Sequence, residues 1–284
     1  MLTINTASDS QFFFKLLSLI SSIKKNDLIE RKIRVWDIGL TLEQIYLLEN
    51  IKNVEVVEIP NFMENYRACY AWKIYIYKHI PEDLVLYMDT GMSILKNIAK
   101  IEEIIIKNDY FTIGQGAILN ESTPVEYWDE LNVDKKYYND EQLAAGLFGF
   151  KRTDKMNNMI DEAYEWTKKG YTLGYSQSDI SWRDKYNLGI VRDCKIFRQD
   201  QTLLNLIFRK HIGTPIFSDI DLFGNPNFLN DNKQIICYHR SIFKKNIIYI
   251  FFSKHTNMRF KSIFLKMIIF KILNQFKRKV LKFV

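Results

Sequence analysis

Between Leu2 and Met88 the chain alternates short apolar runs with helical segments, and few architectures accommodate that alternation. Leu2 to Thr6 reads as a strand. Ser8, Asp9 and Ser10 then offer capping oxygens ahead of Phe13, Leu16, Leu17 and Ile20 at helical spacing. Lys32 to Asp37 is a second strand that ends on a carboxylate. Thr41-Leu42-Glu43-Gln44 is a capping-box pattern that opens another helix. Val54 to Ile59 is a third strand, closed by Pro60. Tyr66 to His79 reads as a helix that Pro81 ends, and Leu84 to Met88 is a fourth strand. Alternation at this interval predicts βαβ units and a largely parallel sheet. Right-handed crossovers then bring Thr6-Ala7-Ser8, Asp37 and Asp89 to one rim.

The fourth strand stops abruptly, running from Leu84 through Met88 into Asp89-Thr90-Gly91. In open α/β sheets ligands bind just beyond the carboxyl ends of the strands. Asp89 there either reaches a metal–diphosphate or opens a turn, since Asp and Gly are favoured turn residues. The second half is less regular. Ala144 to Phe150 reads as a strand, Asp154 to Lys169 as a helix ended by Gly170, and Gln201 to Arg209 as a helix. Residues 213–232 read as loop, and Gln234 to Tyr238 as a short strand before His239-Arg240.

At 284 residues, with 47% hydrophobic and 26% charged residues, the chain suits one large domain, or one domain with an appendage. Cys69, Cys194 and Cys237 show neither metal-ligand spacing nor a disulfide framework, which points to a reducing compartment. Met1-Leu2-Thr3-Ile4-Asn5 lacks the pattern of a signal peptide. No apolar run approaches the roughly 20 residues that span a bilayer. The expected location is cytoplasmic, peripheral on the inner face of the cell membrane.

The formal charge of +7 conceals an asymmetry. No acid follows Asp231, and residues 232–284 hold 13 Lys and Arg. The preceding residues carry 33 acidic and 27 basic groups. An acidic body with a basic tail suggests an anionic partner for the tail.

Five segments, in order, resemble a GT-A-fold nucleotide-sugar glycosyltransferase, especially the glycosyltransferase family 8 type and related bacterial enzymes. Thr6-Ala7-Ser8-Asp9 resembles the first-strand nucleotide loop. Met88-Asp89-Thr90-Gly91 sits where that family has Asp-x-Asp. Ala144-Ala145-Gly146-Leu147-Phe148 resembles the Asn-Ala-Gly strand that faces donor sugar and acceptor. Asp200-Gln201-Thr202-Leu203-Leu204-Asn205 resembles the Asp-Gln-x-x-Leu-Asn element, and Tyr238-His239 is similar to the late metal-binding histidine. Two positions depart: Gly91 replaces the second Asp, and Ala144 replaces the Asn. The resemblance implies an α/β, Rossmann-type mixed sheet flanked by helices over residues 1–245; residues 246–284 lie outside it and read from their composition as a basic, apolar helical segment.

It also implies a site. Mn²⁺ or Mg²⁺ would be held by Asp89 and His239; hard cations want several oxygen ligands and Gly91 removes one, so either the donor diphosphate and waters supply the rest or the enzyme is metal-independent, with Lys or Arg neutralising the diphosphate. Thr6, Ala7, Ser8, Asp37, Lys73, Asp89, Ala145 and Gly146 would bind the donor. Asp200 and Gln201 would act at the reacting centre. Each residue has a plainer reading: Asp37 as a turn before Gly39, Lys73 as a solvated helix lysine, His239 as a surface histidine, and Asp200 as a helix cap. Asp179 and Asp184 are weaker rivals to Asp200. Tyr171, Tyr175, Trp182 and Tyr186 either stack on an acceptor sugar or pack in the core.

Residues 258–284 mix Phe264, Leu265, Ile268, Ile269 and Phe270 with Lys266, Lys271, Lys277, Arg278 and Lys279. An apolar, basic helix suits an anionic membrane surface; so many large aliphatics are unnecessary for nucleic acid, and none is expected as a partner. A helix packed on the body is a further reading. The expected function is sugar transfer from a nucleotide sugar to a membrane-linked or surface-glycan acceptor such as lipopolysaccharide or capsule; the family resemblance leans towards retention, while the sequence sets neither linkage nor anomeric outcome. The alternatives are a sugar nucleotidyltransferase, although Thr6 to Gln11 lacks a Gly-rich basic phosphate loop, and a non-catalytic nucleotide- or glycan-binding protein.

Overall fold

Val85 and Tyr87 belong to one apolar cluster, while Leu84, Leu86 and Met88 belong to another. This period of two is the signature of a strand buried on both faces, and it makes the sheet the middle of three layers. The computed structural model describes residues 1–176, 178, 188–218, 223–224, 234–238 and 249–280, with only the backbone described at 223–224, 238 and 270–280.

The elements follow in the order β1 (Thr3–Ser8), α1 (Phe13–Asn26), β2 (Ile33–Asp37), α2 (Leu42–Glu49), β3 (Val54–Glu58), α3 (Trp72–His79), β4 (Leu84–Met88), β5 (Met92–Ile94) and α4 (Ala99–Asn108). Then come β6 (Tyr110–Ile118), the short helices α5 (Leu119–Ser122) and α6 (Val125–Glu130), β7 (Glu141–Lys151), α7 (Asp154–Lys168), β8 (Tyr175–Ser176) and β9 (Val191–Arg192). The chain continues with α8 (Asp200–His211), β10 (Phe223–Gly224), β11 (Ile236–Tyr238) and α9 (Met258–Val280). Six strands form the main sheet in the order β3-β2-β1-β4-β7-β6. The first four are mutually parallel, as the alternation predicts; β7 runs antiparallel to both β4 and β6. The sheet is therefore mixed.

Helices α3, α7 and α8 cover one face through Ile74, Ile76, Met159, Leu203 and Phe208. Helices α1, α2, α4 and α9 cover the other through Leu16, Ile20, Leu47, Ile105 and Phe264. Register fixes the rim: Ser8 pairs with Asp37, and Asn5 with Tyr87, so β1, β2 and β4 end together. The Asp89 N–H donates to the Gly146 carbonyl at 2.8 Å, which ties the end of β4 to β7.

Several expectations are corrected. The helix expected from Tyr66 starts only at Trp72, because Asn65 and Tyr70 adopt φ of 56° and 55°, outside the helical region. No side chain caps α1: Asp9 Oδ1 accepts from the N–H groups of Gln11 and Phe12, in the turn that precedes the helix. The Thr41 capping box forms as expected. Strands β5 and β6 and helix α4 lie in a stretch where no element was expected. Within 213–232, Phe223–Gly224 pairs with β11 rather than forming loop. His239, Arg240, Asp179, Asp184, Trp182 and Tyr186 lie outside the described residues.

The basic segment does not begin as a free tail. Ile51 bridges Thr256, the Lys52 N–H donates to the His255 carbonyl at 3.0 Å, and Asn257 Nδ2 donates to Asn50 Oδ1 at 2.9 Å. Phe260 and Phe264 are buried in the core cluster beneath α1 and α2. Ile250 joins the same cluster, so packing continues past residue 245.

Candidate functional site

The ends of β1, β2 and β4 open into a cleft of about 630 Å³. Ala7, Ser8 and Asp9 form one wall, Ile38 and Gly39 a second, and Asp89, Thr90 and Gly91 the floor; Arg67, Tyr70 and Lys73 close it from the α3 side. The positive φ at Tyr70 delays α3 by a few residues and leaves Lys73 in its first turn, next to the strand ends.

Lys73 is only 8% exposed, and its Nζ stands 3.2 Å from Asp89 Oδ2 and 3.7 Å from Asp200 Oδ2. The rings of Tyr70, Trp72 and Tyr87 lie within 5.4–5.9 Å of the ammonium, close enough for cation–π attraction. Asp89 Oδ1 accepts a 2.8 Å hydrogen bond from the Tyr87 hydroxyl. Burial, reinforced by Asp89, pushes the Tyr87 pKa far up, so this phenol remains a donor. Asp200 opens α8 and is 4% exposed, with no hydrogen bond to its Oδ2. Burial raises its carboxyl pKa to about 6; Lys73 opposes the rise, and Asp89 adds to it.

Gln201 is fixed from behind. Its Nε2 donates to Gln142 Oε1 at 2.8 Å and also to Gln115 Oε1. Gln142 Nε2 in turn donates to the Ile118 carbonyl and the Ser122 hydroxyl. Asn205 clamps α8 onto β7 by exchanging hydrogen bonds with the Leu143 N–H and carbonyl.

The structure brings Ala7, Ser8, Lys73 and Asp89 together around the cleft, with Asp200 behind Lys73. Other residues stand back from it. Thr6 is fully buried within β1. Asp37 takes the turn role: its Oδ1 accepts from the Gly39 and Leu40 N–H groups at 2.7 Å each. Ala145 and Gly146 are buried, their carbonyls accepting from the Tyr77 hydroxyl and the Asp89 N–H. Tyr171 packs against Tyr127 and Trp166 in tilted and edge-on contacts, and Tyr175 is buried among apolar neighbours. Tyr87 and Arg67 were missed. Tyr87 carried a signal, since a residue two before Asp89 on a strand shares its face; Arg67 carried none.

Among the described residues no group of three His, Cys, Asp or Glu forms a metal site. Asp89 is a single carboxylate with both oxygens engaged, and Gly91 supplies no third oxygen. His239, the second expected ligand, lies outside the described residues.

No family model matches the chain, and no curated protein matches it. Among solved structures it is similar to the apo form of the bifunctional glycosyltransferase WbbM, with a TM-score of 0.56 at 13% identity over 93% of this chain and 51% of that one. This chain thus spans about half the length of WbbM. It is also similar to the galactosyltransferase LgtC in complex with donor and acceptor sugar analogs, with a TM-score of 0.54 at 12% identity over 92% of this chain and 99% of that one. GlyE of Streptococcus pneumoniae TIGR4, in its apo form, gives a TM-score of 0.50 at 10% identity over 98% of this chain and 63% of that one. At these identities the likeness is one of fold, and it is the GT-A-like glycosyltransferase fold to which the ordered motifs point.

Proposed function

We propose that the chain is a nucleotide-sugar-dependent glycosyltransferase whose working centre is the row of Asp89, Lys73 and Asp200 at the floor of the cleft. The observation that carries this reading is a buried carboxylate, Asp200, standing one ammonium away from a carboxylate that lines the cleft. Transfer breaks the bond between the anomeric carbon and a diphosphate oxygen. It forms a bond from that carbon to an acceptor hydroxyl oxygen, whose proton passes to the departing diphosphate oxygen. Negative charge grows on the departing diphosphate, and Lys73 and Arg67 meet it. As Lys73 leans toward the diphosphate, the Asp200 carboxylate faces the positive charge that develops at the sugar. Gln201, held by Gln142, orients the sugar beside it. The resemblance adds retention of configuration to this reading.

The acceptor in this reading is a membrane-linked or surface glycan, such as lipopolysaccharide or capsule. Two features of α9 support a membrane-facing setting at the cytoplasmic leaflet. Met258, Leu265 and Ile269 are exposed while Phe260 and Phe264 are buried, so the helix has a second apolar face. No acid occurs in residues 232–284. Among the described residues no helix is long and apolar enough to cross a membrane.

The test is release of nucleoside diphosphate from a panel of nucleotide sugars, with and without glycan acceptors, by wild type and Asp200→Asn. The reading expects turnover that falls by about 100-fold or more in the variant while nucleotide affinity stays within a few-fold. Binding without turnover would indicate a non-catalytic protein. Nucleotide-sugar formation from a nucleoside triphosphate and a sugar phosphate would indicate a nucleotidyltransferase.

A further inference from the structure

At the end of the sheet opposite the cleft, a second cavity of about 400 Å³ lies where the loop before β3 meets the segment that leads into α9. Lys52, Lys254 and His255 are among its lining residues. We infer that this cavity is a binding site for the phosphate of an anionic lipid headgroup, seated at the root of α9.

The cavity gathers like charges that gain nothing from one another. Lys52 and Lys24 repel, and His255 feels Lys24, Lys254 and Lys52 together. Two carboxylates stand against them: Glu30, paired with Lys52 at 2.6 Å, and Glu49 at the rim. The Lys24 ammonium is closed to solvent and has no hydrogen-bond partner, and burial lowers its pKa. An ammonium in that state is costly unless something negative comes near. His255 is 6% exposed, lines the cavity, and has no hydrogen bond at Nδ1; its nearest carboxylate oxygen, on Glu30, is 3.9 Å away. A phosphate in the cavity supplies an acceptor for that imidazole and countercharge for the Lys52 and Lys254 ammonium groups that line it.

The surroundings select a lipid over a free anion. Phe252 and Met258 flank the Lys254–Asn257 wall and are 74% and 77% exposed. Large apolar side chains held out beside a basic cavity suit the boundary between headgroups and acyl chains. The exposed face of α9, with Leu265 and Ile269, continues from Met258 along the same side of the helix.

The experiment is co-sedimentation of the full chain with phosphatidylcholine vesicles, with and without phosphatidylglycerol. Wild type is compared with Lys52→Gln/Lys254→Gln, with His255→Gln, and with Lys261→Gln/Lys266→Gln, which removes the same charge from α9. Lys52 and Lys254 are exposed, so the fold should survive; thermal unfolding checks it. A built site predicts that Lys52→Gln/Lys254→Gln weakens binding to the anionic vesicles at least about tenfold more than the α9 pair. His255→Gln should weaken it without any change of charge at neutral pH. Equal losses from the two pairs, no effect of His255→Gln, or no binding by wild type would overturn the inference. So would inorganic phosphate stabilising wild type but not Lys52→Gln/Lys254→Gln while vesicle binding is unchanged, which would make the occupant a free anion.

Discussion

The Lys73 ammonium stands 3.7 Å from the Asp200 carboxylate, and both groups are withdrawn from solvent. This distance is too long for a hydrogen bond and short enough for strong Coulomb attraction in a low-dielectric site. Lys73 is the cation that opposes the rise in the Asp200 pKa to about 6. Lys73→Met should therefore raise that pKa further. The acid limb of the pH–rate profile, which reports Asp200 in the proposed mechanism, should move to higher pH. An unmoved limb would separate the two residues.

Asp200 also makes stability depend on pH. Its pKa is raised from 3.8 to about 6, so between those values the folded state keeps a proton that the unfolded state has lost. Its contribution is complete below pH 3.8 and is lost as pH rises through about 6, a change on the order of 3 kcal/mol. Asp200→Asn should flatten this part of the profile in chemical denaturation between pH 4 and pH 7. An unaltered slope would mean that Asp200 is not the group concerned.

The rim of the sheet was legible because apolar runs ending on Asp37 and Asp89 mark strand ends directly. The ionic row was not. Lys73 and Asp200 are 127 positions apart, and neither motif states that α8 begins behind α3. The α3 start was misread because Asn65 and Tyr70 leave helical φ through tertiary context, although nothing local such as Gly or Pro announces it. The packing of Phe260 and Phe264 was hidden because α9 is apolar on two sides, and composition does not say which side is buried.

Gly91 offers a gain-of-function test. A Cβ built there meets no atom within 4 Å, and its φ is not in the left-handed region. Gly91→Asp should therefore fold with an unchanged melting temperature and place a second carboxylate near Asp89. Mn²⁺ binding by the nucleotide-free variant, followed by the loss of the free-ion electron paramagnetic resonance signal, should exceed that of wild type. Equal binding would place residue 91 away from Asp89.

Truncation should separate packing from membrane contact. A chain ending at residue 257 removes Phe260 and Phe264, each costing about 3–5 kcal/mol by analogy with core Phe→Ala changes, and should lose cooperative unfolding. A chain ending at residue 269 keeps both and should melt like the full chain. It lacks Lys271, Lys277, Arg278, Lys279 and Lys282, so it should bind anionic vesicles more weakly. Equal melting of the two truncated chains would contradict the packing of α9.

The most direct measurement is thermal unfolding in the presence of uridine, guanosine, cytidine and adenosine diphosphates, each with and without Mn²⁺, for wild type, Lys73→Met and His255→Gln. A ligand at a hundredfold excess over its Kd stabilises the folded state by about 2.7 kcal/mol. The account predicts that one nucleoside diphosphate raises the melting temperature of wild type and His255→Gln. It predicts that most of this rise disappears in Lys73→Met. No rise with any nucleotide, or a rise that Lys73→Met leaves intact, would contradict it.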